Sequence, residues 1–108
     1  MAYDEELADR VRAMLPDGTP EKAMFGGLAF LLGGHLSVTV SRSGGLMVRC
    51  DPEESATLLL EDGVERMVMR GRPMDGWLLV APEAVTDEQS LVRWVEVGTA
   101  YARSLPPA

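Results

Sequence analysis

From His35 to Ser41 the chain alternates apolar and hydroxyl side chains, with Leu36, Val38 and Val40 set against Ser37, Thr39 and Ser41. A helix cannot use a period of two, whereas a strand with one face buried requires it. Gly33-Gly34 precedes this segment and Arg42-Ser43-Gly44-Gly45 follows it, so its neighbours are expected to fold back on tight turns. Downstream, Leu46, Val48 and Cys50 share one face of a strand and Met47 and Arg49 the other. Upstream, Lys22 to Leu32 is apolar but interrupted by Gly26-Gly27, which reads as one bent or bulged strand with Gly26 and Gly27 as its structural turn. The three segments form an antiparallel meander.

Helices flank it. Asp4 to Leu15 places Leu7, Val11 and Met14 on one stripe, and Pro16-Asp17-Gly18-Thr19-Pro20 ends it. Asp51-Pro52-Glu53-Glu54 opens a second helix, with a capping aspartate, a proline at the first position and acids at the positive end of the dipole. Val64–Met69 and Trp77–Ala81 are two further strands, and Thr86-Asp87-Glu88-Gln89 reads as a capping box. It opens a last helix whose stripe is Leu91, Trp94, Val95, Gly98, Ala102 and Leu105. The expected fold is α+β, a two-layer sandwich of order α-β(3)-α-β(2)-α with an antiparallel sheet and helices mainly on one face. With 108 residues, positions 1–108 make a single domain, large enough to fold without metal or disulfide.

Composition narrows the function. Ten basic residues against seventeen acidic ones leave a net charge of −7, which disfavours direct DNA binding by this chain alone. Cys50 is the only cysteine, so no internal disulfide can form and a reducing compartment suits the chain. The start, Met1-Ala2-Tyr3-Asp4-Glu5-Glu6, is acidic where a signal peptide would be basic. The longest apolar run, Leu28 to Leu32, falls far short of the ~20 residues of a membrane span. A cytoplasmic protein without membrane association is expected.

Several segments together resemble the N-terminal domain of the TfoX/Sxy family of bacterial competence regulators. They are Met24-Phe25-Gly26-Gly27, Phe30, Gly33-Gly34, Leu46-Met47-Val48-Arg49-Cys50-Asp51, Arg70-Gly71-Arg72-Pro73-Met74-Asp75-Gly76-Trp77 and Leu91-Val92-Arg93-Trp94-Val95. The resemblance spans nearly the whole chain. It implies a fold similar to type III secretion chaperones and a regulatory role in DNA transformation, and it brings no catalytic residue. Longer members add a C-terminal domain and act as transcriptional co-activators. A chain ending at Ala108 is expected to be a stand-alone copy of the N-terminal domain.

No catalytic constellation emerges from the residues. Cys50 and His35 are the sole thiol and imidazole, too few for a zinc site without carboxylates, and Cys50 falls in register with core positions. No enzyme activity, cofactor or metal is expected. Arg66, Arg70 and Arg72, with Arg49 nearby, form a local basic cluster able to dock an acidic partner, or else to pair with the domain's own glutamates. Met67 and Met69 share a face, and a sheet apolar on both sides with few helices would leave a patch for a protein partner or a homodimer. The leading expectation is a non-catalytic protein-interaction module using these residues. The alternative is a small-molecule-binding domain or an enzyme with a pocket near Phe25, Gly26, Arg49 and Cys50.

Overall fold

The computed structural model describes residues 3–24, 26–42 and 44–107, so Met1, Ala2, Phe25, Ser43 and Ala108 lie outside the description. The elements are α1 (Glu5–Ala13), β1 (Glu21–Met24), β2 (Gly27–Leu32), β3 (His35–Val40), β4 (Leu46–Arg49), α2 (Pro52–Leu58), β5 (Val64–Met69), β6 (Arg72–Val80) and α3 (Glu88–Ser104). A 3₁₀ turn, Pro82–Val85, precedes α3. The strands form one antiparallel sheet in the order β1-β2-β3-β4-β6-β5.

The α+β two-layer sandwich is present, with one strand more than the expected order. The segment read as a single bent strand is the hairpin β1–β2, in which Met24 pairs with Gly27. Gly26 has φ +75°, a left-handed conformation that reverses the chain outright where a bend was expected.

Capping follows the sequence closely. The Asp4 carboxylate accepts from the Leu7 amide and that of Asp51 from Glu53. At the last helix the cap is Asp87 rather than Thr86. Asp87 accepts from the Ser90 amide, which holds its carboxyl below the ordinary range, while the Thr86 hydroxyl donates to the Glu83 carbonyl.

All three helices bury their apolar stripes against one sheet face. Leu7, Ala8 and Val11 of α1, Leu58 of α2, and Leu91, Trp94 and Val95 of α3 close over Leu28, Phe30, Val38, Val40, Leu46, Val48, Leu78 and Val80. Gly98 sets how near α3 comes. A Cβ there would meet the Ser37 carbonyl oxygen well inside contact distance and Val38 Cγ1 at 2.6 Å. Ser37 itself sits in a bulge, because Phe30 pairs with Val38 and Leu31 with Leu36, and its hydroxyl donates to the Phe30 carbonyl.

Two exposed ion pairs brace the rim, one between α1 and the sheet and one between α3 and the turn after α2. Arg12 pairs with Glu21 at 2.6 Å, and Arg93 of α3 pairs with Glu61 after α2. Each arginine holds its glutamate below the usual carboxylate range. A lowered folded-state pKa adds stability above the unfolded value and loses it as pH falls through the folded one, so both contributions are full at neutral pH. Exposure keeps them small.

Candidate functional site

The opposite sheet face carries a second apolar cluster made of strand residues only. Ala29, Leu36 and Met47 form its buried centre, with Met24, Leu31, Met67, Trp77 and Leu79 packed around them. The register aligns Lys22, Ala29, Thr39, Met47, Leu79 and Glu65 in one row across all six strands. The middle of that row is closed to solvent, since Ala29 is 0% and Met47 3% exposed. The expected open apolar face is therefore shut at its centre, where large side chains surround the small Ala29 and Thr39. What remains accessible lies toward one end, on the β5–β6 hairpin.

That hairpin has two parts. Val64, Glu65 and Arg66 pair with Val80, Leu79 and Leu78, and β6 lies against β4 there. The register then jumps, leaving Asp75, Gly76 and Trp77 without partners on β5, before Met67 pairs with Met74, Val68 with Pro73 and Met69 with Arg72. Since β4 ends with Arg49 opposite Trp77, residues 67–74 form a two-stranded arm that runs past the sheet. The bulge is anchored at its base. The Cys50 amide donates to the Gly76 carbonyl at 2.8 Å, and Arg66 Nε lies 3.3 Å from Asp75 Oδ1, paired in charge without hydrogen-bond alignment.

Four of the six predicted contact residues, Met67, Met69, Arg70 and Arg72, thus share one arm, and Arg66 stands just before it at the register jump. Arg49 also stands at its base, with its guanidinium carbon 5.2 Å from the Trp77 ring centre and 5.4 Å from that of Tyr101. Met69, Arg70, Arg72 and Met74 line a groove of about 360 Å³. Among the described residues neither Arg70 nor Arg72 has an ion-pair partner, while Arg66 has Asp75. Pairing with the domain's own acids, one of the two uses foreseen for this cluster, therefore accounts for Arg66 only.

Sequence reasoning passed over Val68, Trp77 and Tyr101. Val68 is 60% exposed, a large apolar side chain left open on the arm. Trp77 and Tyr101 come together around Arg49 only through the strand register and the placement of α3, which no local pattern reveals.

Among the described residues the alternative pocket does not bring Gly26 together with Arg49 and Cys50. Gly26 lies against the Arg42 side chain, near Val40 and the start of β4. Cys50 follows the far end of β4, on the order of 13 Å away at the rise of a strand. Phe25 is outside the described residues. Cys50 instead borders a groove between α2 and α3 of about 440 Å³, shared with Asp51, Glu54, Arg93, Glu96 and Tyr101. Its thiol is buried, and burial first, then the Glu54 and Asp51 charges, push its pKa up to about 11. The single imidazole is engaged elsewhere, with His35 Nε2 donating to the Pro106 carbonyl at 2.5 Å. Among the described residues no group of three His, Cys, Asp or Glu could hold a metal, and no helix is long and apolar enough to cross a membrane.

The thiol environment has a measurable consequence. A pKa near 11 against an ordinary value near 8.5 cuts the thiolate fraction at pH 8 on the order of a hundredfold. Labelling of Cys50 by a disulfide reagent at pH 8 is expected to be slower by at least that factor in the native protein than in urea. Equal rates would show an accessible, ionised thiol.

Comparison with curated proteins and with solved structures gives no significant match. The profile of the TfoX N-terminal domain matches residues 15–102, from the end of the α1 segment to the last turn of α3. With that match covering both the sheet and the arginine-bearing arm, the chain belongs to the TfoX N-terminal domain family.

Proposed function

We propose that this protein is a non-catalytic docking module of a cytoplasmic regulatory system, of the kind the competence regulators represent. Its β5–β6 arm presents Arg70 and Arg72 to an acidic protein surface. One observation carries the reading. Arg70 has φ +53° and Gly71 φ +76°, both left-handed, at the two-residue turn between Met69 and Arg72. A turn of this kind favours Asn-Gly, and a left-handed conformation costs an ordinary L-residue roughly 1–2 kcal/mol. An arginine kept there, exposed and unpaired, trades stability for a guanidinium at the tip. The adjacent Met69 and Met74 supply an adaptable apolar floor beside it.

A direct DNA role has little support, because seventeen acidic residues against ten basic ones leave the chain a net charge of −7. The buried, poorly ionised Cys50 and the engaged His35 support a role without chemistry.

The test exploits the opposition between stability and use. Arg70→Asn is expected to stabilise the fold by about 0.5–1 kcal/mol, raising Tm by on the order of 4 °C, while weakening capture of the partner at least tenfold. The binding loss should be largest at low salt. A variant that is more stable and captures the partner as well as the parent would remove Arg70 from the interface.

A further inference from the structure

The arm has two edges, and they differ. On β6 the edge carries Pro73, which has no amide hydrogen to offer a new strand. On β5 the sequence Val64-Glu65-Arg66-Met67-Val68-Met69 contains no proline, glycine or lysine, and β5 is terminal in the sheet. The sheet's other edge is protected, since β1 spans only four residues and includes Glu21 and Lys22. β5 carries the charges of Glu65 and Arg66 and faces the register jump after Arg66, but it is longer than β1 and its last three residues, Met67, Val68 and Met69, are all apolar.

We infer that the β5 edge pairs antiparallel with β5 of a second copy across a two-fold axis at Met67, joining two six-stranded sheets into one. This deepens the docking reading above, and rests on it, by assigning one face of the same arm to self-association.

The charges select the register. A two-fold perpendicular to the sheet keeps inner faces together, so residues opposite each other must share a face and the axis must pass through a residue. An axis at Glu65 sets that carboxylate against its own copy, and an axis at Arg66 does the same to two guanidiniums. With the axis at Val68, Arg66 meets Arg70 of the second copy. Like charges placed opposite destabilise a strand pair.

Among the four interior positions of β5, only the axis at Met67 avoids all three, and axes at the strand ends would pair fewer of its residues. Methionine then meets methionine, and Arg66 lies against Val68 of the second copy, whose exposed side chain its aliphatic stem covers. Glu65 meets Met69 of the second copy, the cross-strand neighbour of Arg72. Opposite charges thus approach at both ends of the new ladder. Met67 also belongs to the strand-only apolar cluster, which becomes continuous from one sheet to the other. Few residues take part, so the dimer is expected to be weak and concentration-dependent.

Sedimentation equilibrium of the whole chain over a wide concentration range should show a mass rising from 11.7 kDa toward twice that value. Val68→Lys, which faces Arg66 of the second copy twice per dimer, is expected to raise the dissociation constant at least tenfold. Val68→Glu removes the same apolar surface but adds an ion pair, and should stay within threefold of the parent. Met67→Cys should cross-link to its own copy under mild oxidation, because opposed residues bring Cα atoms within disulfide reach, while Glu65→Cys should not. A chain that is monomeric at millimolar concentration overturns the inference, and so do two Val68 variants with equal losses or a cross-link at Glu65→Cys alone. If the chain is monomeric but an Arg70-dependent partner is still captured, only the self-pairing fails. Loss of both would end the docking reading as well.

Discussion

Gly98→Ala is expected to destabilise the fold by about 3 kcal/mol, lowering Tm by more than 10 °C in thermal denaturation followed by circular dichroism. Local propensity points the opposite way, since alanine in a helix interior is favoured over glycine by about 1 kcal/mol. Packing decides. The added carbon would overlap the Ser37 carbonyl and crowd Val38, and neither neighbour is the loose end of a flexible side chain. Ser37 is also held by its bulge and by the bond from its hydroxyl to the Phe30 carbonyl. The helix must therefore lift along its whole contact with β3 and β4, opening space around Trp94, Val95 and Ala102. A Tm equal to or above that of the parent would show that α3 rides higher on the sheet than described.

Phe30→Ala should cost about as much or more, on the order of 3–5 kcal/mol. The Phe30 ring is fully buried at the centre of the helix-facing core, and the Arg12 guanidinium lies 6.0 Å from its centre at the rim. Removing it leaves a void between α1 and the sheet that small residues such as Ala8 cannot fill. Against a total stability of about 5–15 kcal/mol, the denaturant midpoint should fall sharply with the slope unchanged. Phe30→Leu, which keeps most of the volume, should lose markedly less. A midpoint for Phe30→Ala close to the parent's would mean the site collapses freely, contrary to a rigid core.

Those two residues show which parts of the fold could be seen in the residues alone. Phe30 lay in an obviously apolar segment and Gly98 on the stripe of the last helix. The alternation of Leu36, Val38 and Val40 against Ser37 and Thr39 announced β3, and Asp51-Pro52 announced α2. A hairpin at Gly26 was harder to see, because two adjacent glycines serve a bend and a reversal equally well and only strand pairing separates them. The closure of the outer face was not visible either. Whether Met47 is open or shut depends on its neighbours across three strands, through a register that no single segment specifies.

The arm divides in the same way. Clustering of Arg66, Arg70 and Arg72 was evident from spacing, and so was their proximity to Met67 and Met69. The backbone of Arg70 was not, because a left-handed arginine appears only once Met69 is known to pair with Arg72. Arg49, expected near this cluster, is brought to it by its pairing with Trp77, a contact between residues far apart in the chain. Cys50 and Gly26 each lie beside a short strand-and-turn segment, and nothing local in the sequence gives the distance between those segments. They are separated by the length of β4.

The strand order also bears on how the chain finds its shape. Strands β1 to β4 follow one another in space as they do in sequence, so every pairing among them closes a short loop. The β5–β6 ribbon is likewise local. A single seam, β4 against β6, joins the two halves across α2. Most of the sheet can therefore assemble from neighbours before any distant segments meet, and the entropic search is concentrated in one docking event. The base of the ribbon is held by β4, by α2 and by the core side chains Val64, Leu78 and Val80, whereas residues 67–74 run beyond that support and can open while the rest of the sheet beneath the helices stays intact.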